Sequence, residues 1–512
     1  MGRVPKMRES LDLTRGDGLR LMQIQSRVGR KVFVCCRCWV MLGGTSAANV
    51  QKSVWIASGE CMSNPIGRQA VVVGAGMGGL SAARALADYF EQVVVIENDA
   101  LPADAAPRPG TPQCRHVHGL LMGGLQALER LFPGSERALH AAGAVVVRMS
   151  TDLRLERPGY DPYPQRDLAS HISCMSRPLI EATIRKKTAV HGSISIRECC
   201  KAQQILVGSK NGKVTGVRCA DGHGKTEDIA ADFVVDASSH GLLTLDLLAS
   251  RALPTPAEDS IGVDIGYCSS VFEIPDDAPG DWKGMVVLPD PPQNRRGAFV
   301  LPLEGKRWIV TLTGRYDAKP PDDEAGFFSY IENLRTPTAH KALRNAKRLT
   351  GFSRYVLKAS RRRYFEGIPN FPHGLLPFGD TICRFNPVYG QGMSVAAIEA
   401  CLLHDLLAAA STEGKGTDGL ASTFLTEAQK VIEAPWSFSA IPDFVDPLTE
   451  GPRPPDLENR LKYGAAMLKV AAEDPAVHKV LLEVQNLVTP PSALQVPEIA
   501  DRVKAAMATA AA

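Results

Sequence analysis

Two apolar runs bracket a glycine-rich turn between residues 69 and 98. Residues 70–73, Ala-Val-Val-Val, predict a short buried parallel strand. Gly74, Gly76 and Gly79 then form G-x-G-x-x-G. Residues 80–90 carry small and apolar side chains at helical spacing, and residues 93–96 predict a second buried strand that ends in Glu97. The order strand, turn, helix, strand, acid is that of a dinucleotide-binding unit. Gly74 makes the tight turn, Gly76 lets backbone approach a pyrophosphate, and Gly79 lets helix and strand pack closely. The helix N-terminus favours the phosphate charge. Glu97 is placed to accept hydrogen bonds from a ribose diol, which disfavours a 2′-phosphate and hence NADP. FAD and NAD both stay open on this stretch alone.

The pattern continues down the chain. Residues 120–131 read as an amphipathic helix closed by Pro133 and Gly134. A second helix starts at Ser176 as N-cap with Pro178 early in the first turn. Residues 193–197, 202–207 and 213–219 have strand character, the last two flanking an Asn211-Gly212 hairpin turn. Residues 231–236 form another buried strand that ends in Asp236. Residues 262–273, 284–288, 297–303 and 307–314 are strands separated by Gly/Pro turns, which predicts a mostly antiparallel sheet. Residues 322–334 are helical, and residues 355–364 return toward the first domain. Residues 374–400 read as a strand, Gly379-Asp380, a loop, and Gly390-x-Gly392 opening an apolar helix to Leu407. Asp380 at a strand end can bind hydroxyls. The glycine N–H groups at the helix start suit a carbonyl or a developing anion. Residues 421–434 and 457–488 are helical, and the Ala-rich end from Lys504 is expected to fray.

Composition narrows the class. A 512-residue chain holds two or three domains. The net charge of +3 is too small to imply nucleic acid. No run approaches the uninterrupted apolar length of a membrane span. The 12 cysteines are scattered without paired C-x-x-C spacing, which indicates neither a zinc site nor a disulfide framework and fits a reducing cytosol. Residues 1–61 differ from the rest: ten Lys/Arg face four Asp/Glu, and no apolar periodicity appears. This segment is expected to be poorly structured and a product of start-site choice, with Met62 as the natural start. His116 and His118 lie two apart and would not share a helix face, so metal ligation is not indicated. Arg108 and Gln113 stand on a loop from which they could reach a ligand.

Three blocks now line up in order: G-A-G-M-G-G with Glu97, V-V-D-A-S-S-H-G, and G-D-T-x-x-x-x-N-P-V-Y-G-Q-G-M. Together they resemble the FAD-dependent aromatic-hydroxylase superfamily of flavoprotein monooxygenases, the p-hydroxybenzoate hydroxylase group. The segment R-x-G-x-P-Q-x-R-H-x-H-x-L-L and the form N-P-V-Y-G-Q-G-M are similar to bacterial FAD-dependent epoxidases of polyether pathways. The resemblance implies an α/β fold: a Rossmann-like FAD-binding domain interleaved with a mostly antiparallel substrate sheet, plus C-terminal helices. The expected pieces are 66–150, 174–260 and 350–412 for the FAD domain, 151–173 and 261–349 for the substrate layer, and 413–512 for the helical region. By resemblance, Gly74, Gly76, Gly79 and Glu97 hold the ADP half of FAD. Arg108 and Arg177 contact the flavin or its phosphate and ribityl chain, and Asp380 binds ribityl hydroxyls. Pro387 lies against the isoalloxazine, and Gly390, Gly392 and Met393 offer backbone N–H groups to its N1–C2 edge.

The same resemblance implies a reaction. Reduced FAD and O2 give a C4a-hydroperoxide that transfers one oxygen atom to a hydrophobic alkene or aromatic substrate, by epoxidation or hydroxylation. Electrons come from NAD(P)H directly or through a flavin reductase. The middle block departs from the family's Asp-Ala-x-Gly-Arg-Gly: Ser239 and His240 replace the glycine and arginine, which puts direct NAD(P)H use in doubt. No side chain emerges as a certain catalytic group; Pro387, Tyr389, His116 and His118 are candidates near the substrate. Two other readings compete: an FAD-dependent dehydrogenase or isoprenoid double-bond reductase, and a flavin-binding protein without turnover. The W-x-W-x-I-P stretch of flavin halogenases is absent.

Overall fold

A computed structural model describes residues 21–25, 31–35, 65–209 and 212–511. The strands Leu21–Gln25 and Lys31–Cys35 pair antiparallel and belong to a unit of their own, residues 1–61. The remainder of that segment lies outside the described residues, as does Asn211 of the expected hairpin turn.

The main unit, Met62–Ala512, is built on two sheets. A five-stranded sheet runs in the order Leu375–Pro377, Phe233–Asp236, Gly67–Val73, Phe90–Ile96, Ile194–Arg197, all parallel. Its central strands are apolar on both faces, as a covered parallel sheet requires. Ala70, Val72, Val93 and Val95 face the helix Met77–Leu86 and the long helix Gly392–Glu413. Val71, Val73, Val94 and Ile96 face the other way, onto a three-stranded antiparallel sheet of Cys200–Val207, Val214–Asp221 and Thr226–Ala230. A seven-stranded sheet runs Cys383–Arg384, Ser353–Tyr364, Ala257–Glu273, Arg307–Arg315, Arg296–Leu303, Gly284–Val287, Leu153–Glu156. It is antiparallel except where Leu153–Glu156 joins.

Several boundaries differ from the sequence reading, each for a physical reason. Ser353–Tyr364 belongs to the antiparallel sheet, not the FAD-binding piece, because it pairs along most of the 17-residue strand Ala257–Glu273. The helix Leu420–Asp443 continues through Pro435 and Pro442, where the breaker rule placed an end. Residues 457–488 form two helices, Leu457–Glu473 and Pro475–Gln485, because Asp474 caps the second and Pro475 starts it. The C-terminus is helical over Pro497–Ala511, where Ile499 and Val503 bury against the preceding pair. The strand Thr226–Ala230 and the helices Ser135–Ala141 and Leu242–Ser250 carried too little periodicity to be read. Gly392–Glu413 is long and apolar enough by composition to cross a membrane, yet half of its apolar window is buried inside this fold.

Candidate cofactor site

The first glycine turn is locked by packing. Gly74 has φ +103°, and a Cβ there would sit 2.8 Å from the Ala237 carbonyl oxygen. A Cβ on Gly79 would lie 1.8 Å from the Gly74 carbonyl oxygen. Gly76 is different: a Cβ there would meet only Arg177 Nη2, at 4.0 Å. The turn is therefore tight on the sheet side and open on the side where Arg177 stands. Arg177 is buried, its Nη2 donates to Glu181 at 3.3 Å, and its Nε has no partner. A buried guanidinium beside a glycine turn, with one N–H still unpaired, fits a phosphate.

Glu97 ends the second strand as expected and is buried. Its Oε2 accepts from Ala75 N at 2.9 Å and its Oε1 from Asp99 N at 3.0 Å. Arg108 bridges Glu97, Asp99 and Glu181 at 3.1, 2.8 and 2.6 Å. Burial opposes its charge, but the three carboxylates outweigh that and raise its pKa. Arg108 thus commits its Nε and Nη1 donors to these carboxylates; the sequence reading had it contact the flavin or its phosphate and ribityl chain. Sequence inspection missed Asp99 and Glu181, which hold it.

The other two blocks arrive from distant parts of the chain. Asp380 lies in the turn Gly379–Thr381, and a Cβ on Gly392 would be 3.8 Å from its Oδ1. Burial pushes its carboxyl upward, opposed by the charges of Arg384, Arg177 and His240 and a hydrogen bond from Ser239. Arg177, the middle block and the third block therefore converge around Asp380. Asp236 is fully buried and closes its own turn: Ser238 N and Oγ donate at 3.1 and 2.5 Å, and Thr244 N and Oγ1 donate at 3.2 and 2.6 Å. Ser239 keeps the left-handed conformation, φ +73°, at the position where the family has glycine.

The second glycine turn is open. Pro387 is exposed, Gly390 has φ +67°, and nothing lies within 4 Å of a Cβ placed on Gly390. The helix Gly392–Glu413 starts there with no side-chain cap, so the N–H groups of Gly392 and Met393 lack intrahelical acceptors. Gln391 is buried with its Oε1 unpartnered. Behind the turn stands Asp443, which sequence reasoning missed. It is fully buried and accepts from Asn386 Nδ2 at 3.1 Å and Tyr389 OH at 2.9 Å, with Arg315 paired to it. Tyr267 OH reaches Asn386 Oδ1 at 3.4 Å.

His116 and His118 part company. His118 Nδ1 meets the His116 carbonyl oxygen at 2.9 Å, and burial followed by the Arg177 charge lowers its pKa to about 3. His116 is buried between Tyr267 and Tyr355, with ring centroids 5.8 Å from each. Its Nδ1 pairs with Ser269 Oγ at 2.7 Å, while its Nε2 has no partner. Burial, then the Arg115 charge, lowers its pKa to about 4, so the ring is neutral at pH 7. A separate cavity of about 300 Å³, lined by Ile261, Arg362, Tyr364, Trp436 and Phe444 among others, shares none of these residues.

A parallel sheet with a glycine turn, an acid on the next strand, and a second glycine turn with an aspartate on the same cleft defines a flavin-dinucleotide site. Residues 68–439 match the model of the FAD binding domain family, and the chain belongs to that family. It is a flavin-dependent oxidoreductase that binds FAD. The chain is similar to Protein Rv3254 of Mycobacterium tuberculosis (strain ATCC 25618 / H37Rv), 32% identical over 384 residues that cover 73% of this chain and 80% of the relative. Its fold resembles the flavin-dependent brominase Bmp2, with TM-score 0.60, 13% identity, and 82% and 93% of the two chains covered. It also resembles p-nitrophenol 4-monooxygenase PnpA from Pseudomonas putida DLL-E4, with TM-score 0.54, 18% identity, and 83% and 99% covered.

Proposed function

We propose that this chain is an FAD-dependent monooxygenase that places one oxygen atom from O2 into a hydrophobic alkene or aromatic substrate. FAD supplies the activation of O2 when bound. The protein's part is to hold the cofactor, seat the substrate and exclude water. Arg177 takes a phosphate, Asp380 takes ribityl hydroxyls, and the Pro387–Met393 stretch takes the isoalloxazine edge. The observation that carries the substrate reading is His116: a buried, neutral imidazole with one free nitrogen, set in an aromatic wall with Tyr267 and Tyr355. Such a wall suits an apolar or aromatic body, and the free Nε2 suits one oxygen on it. Tyr267 links this wall to the Asn386–Pro387 turn. Epoxidation is the finer reading, drawn from the polyether-epoxidase resemblance. The electrons come from NAD(P)H, through a flavin reductase if the Ser239-His240 block does not accept the nucleotide.

The test is turnover under ¹⁸O₂ with NADPH, with and without an added flavin reductase, on a panel of terpenoid alkenes and phenols. The expected product carries one ¹⁸O atom. A product that is dehydrogenated or hydrogenated without ¹⁸O would instead establish the dehydrogenase or double-bond reductase reading.

A further inference from the structure

The sheet behind the cofactor domain gathers three donor atoms that no sequence spacing advertises. Cys219 on the strand Val214–Asp221 stands opposite Ala202 on one neighbour and Glu227 on the other. Cys200 is two residues before Ala202 and so shares its face. The two sulfurs and a Glu227 carboxylate oxygen all lie within 4.8 Å of one another, and Cys219 Sγ is 3.8 Å from Glu227 Oε1. A tetrahedral zinc ion, with Zn–S about 2.3 Å and Zn–O about 2.0–2.2 Å, sets its ligand atoms roughly 3.5–3.8 Å apart. The trio is therefore close to ligating separation.

The charges fit as well. Two thiolates and a carboxylate carry three negative charges, which a dication reduces to one. Arg197 already pairs with Glu227 and balances that one. Both cysteines are buried and Glu227 is exposed, so an ion enters from the Glu227 side and keeps one vertex for water. We propose that Cys200, Cys219 and Glu227 bind a thiophilic divalent cation, zinc foremost, which clips the three strands together.

Binding displaces the thiol protons. Uptake therefore tightens as pH rises. The site shares no residue with the cofactor cleft, and its fate is independent of the oxygenase reading.

The experiment is equilibrium dialysis of the full-length, reduced, FAD-loaded chain against zinc buffers, with zinc per chain measured by atomic emission. Cys35, Cys36, Cys38 and Cys61 are changed to Ser throughout, which removes the thiols of residues 1–61. One zinc per chain is expected, with Glu227→Gln weakening it by roughly tenfold or more at unchanged flavin content. Cys219→Ser should abolish uptake; because Cys219 is buried, Glu227→Gln is the variant that decides if this one fails to fold. No zinc in the parent protein, or equal uptake by Glu227→Gln, overturns the proposal.

Discussion

The two glycine turns of the cofactor cleft do the same office by opposite means. Around Gly74 and Gly79 the backbone is in contact on the inner side, and no side chain fits. Around Gly390 there is open space, and glycine is needed there for its left-handed φ. The first turn is part of the core and holds its shape by packing. The second is held from behind by a polar node, Asp443 with Asn386, Tyr389 and Arg315. Packing-locked and node-locked loops should fail differently.

The largest effect is expected at Gly79. Gly79→Ala drives a methyl group into the Gly74 carbonyl and costs about 3 kcal/mol or more, so little folded, flavin-loaded protein should be recovered on gel filtration. Asp443→Ala leaves the largely covered Arg315 without its carboxylate partner and should cost about 3 kcal/mol in thermal or urea unfolding. Asp443→Asn keeps the shape and should recover part of that loss. If Asp443→Ala leaves stability and flavin content unchanged, the node does not hold the second turn.

A pH prediction comes third. His116 is held at about 4 in the fold against about 6.5 when unfolded. Between those values the unfolded chain binds more protons, so stability is present above pH 6.5 and is lost as pH falls toward 4. The loss is roughly 3 kcal/mol, and His116→Phe should flatten that part of the stability–pH curve. Gly390→Ala meets no clash and should cost only about 1–2 kcal/mol for the left-handed backbone, yet lower flavin affinity in fluorescence titration. Equal flavin loss in Gly79→Ala and Gly390→Ala at matched stability would erase the contrast. The smallest effect is Ser239→Gly, which relieves φ +73° but removes the hydrogen bond to Asp380, so stability should change by less than about 1 kcal/mol in the same unfolding assay.

The first turn was legible in the sequence because its strand, turn, helix and acid are contiguous, and each glycine answers to a local demand. The third block was legible for the same reason. What joins them was not. Arg108 looked like a free loop arginine, because Glu181 lies far along the chain and only the fold brings it to 2.6 Å. Asp443 sits at the end of a helix that two prolines disguised, and its partners come from two distant segments, the turn with Asn386 and Tyr389 and the strand that carries Arg315. Cys200, Cys219 and Glu227 have irregular spacing and meet only through antiparallel register. Local backbone demands are written in sequence; convergent polar nodes are written in topology.

The most direct test of the cofactor account is the absorbance of the purified chain, with the released chromophore identified by mass spectrometry, for the parent and Arg177→Gln. The account predicts bound FAD in the parent and an affinity lowered roughly tenfold to a hundredfold in Arg177→Gln, which removes the guanidinium that stands beside Gly76. A folded parent protein that neither carries nor takes up FAD would contradict it.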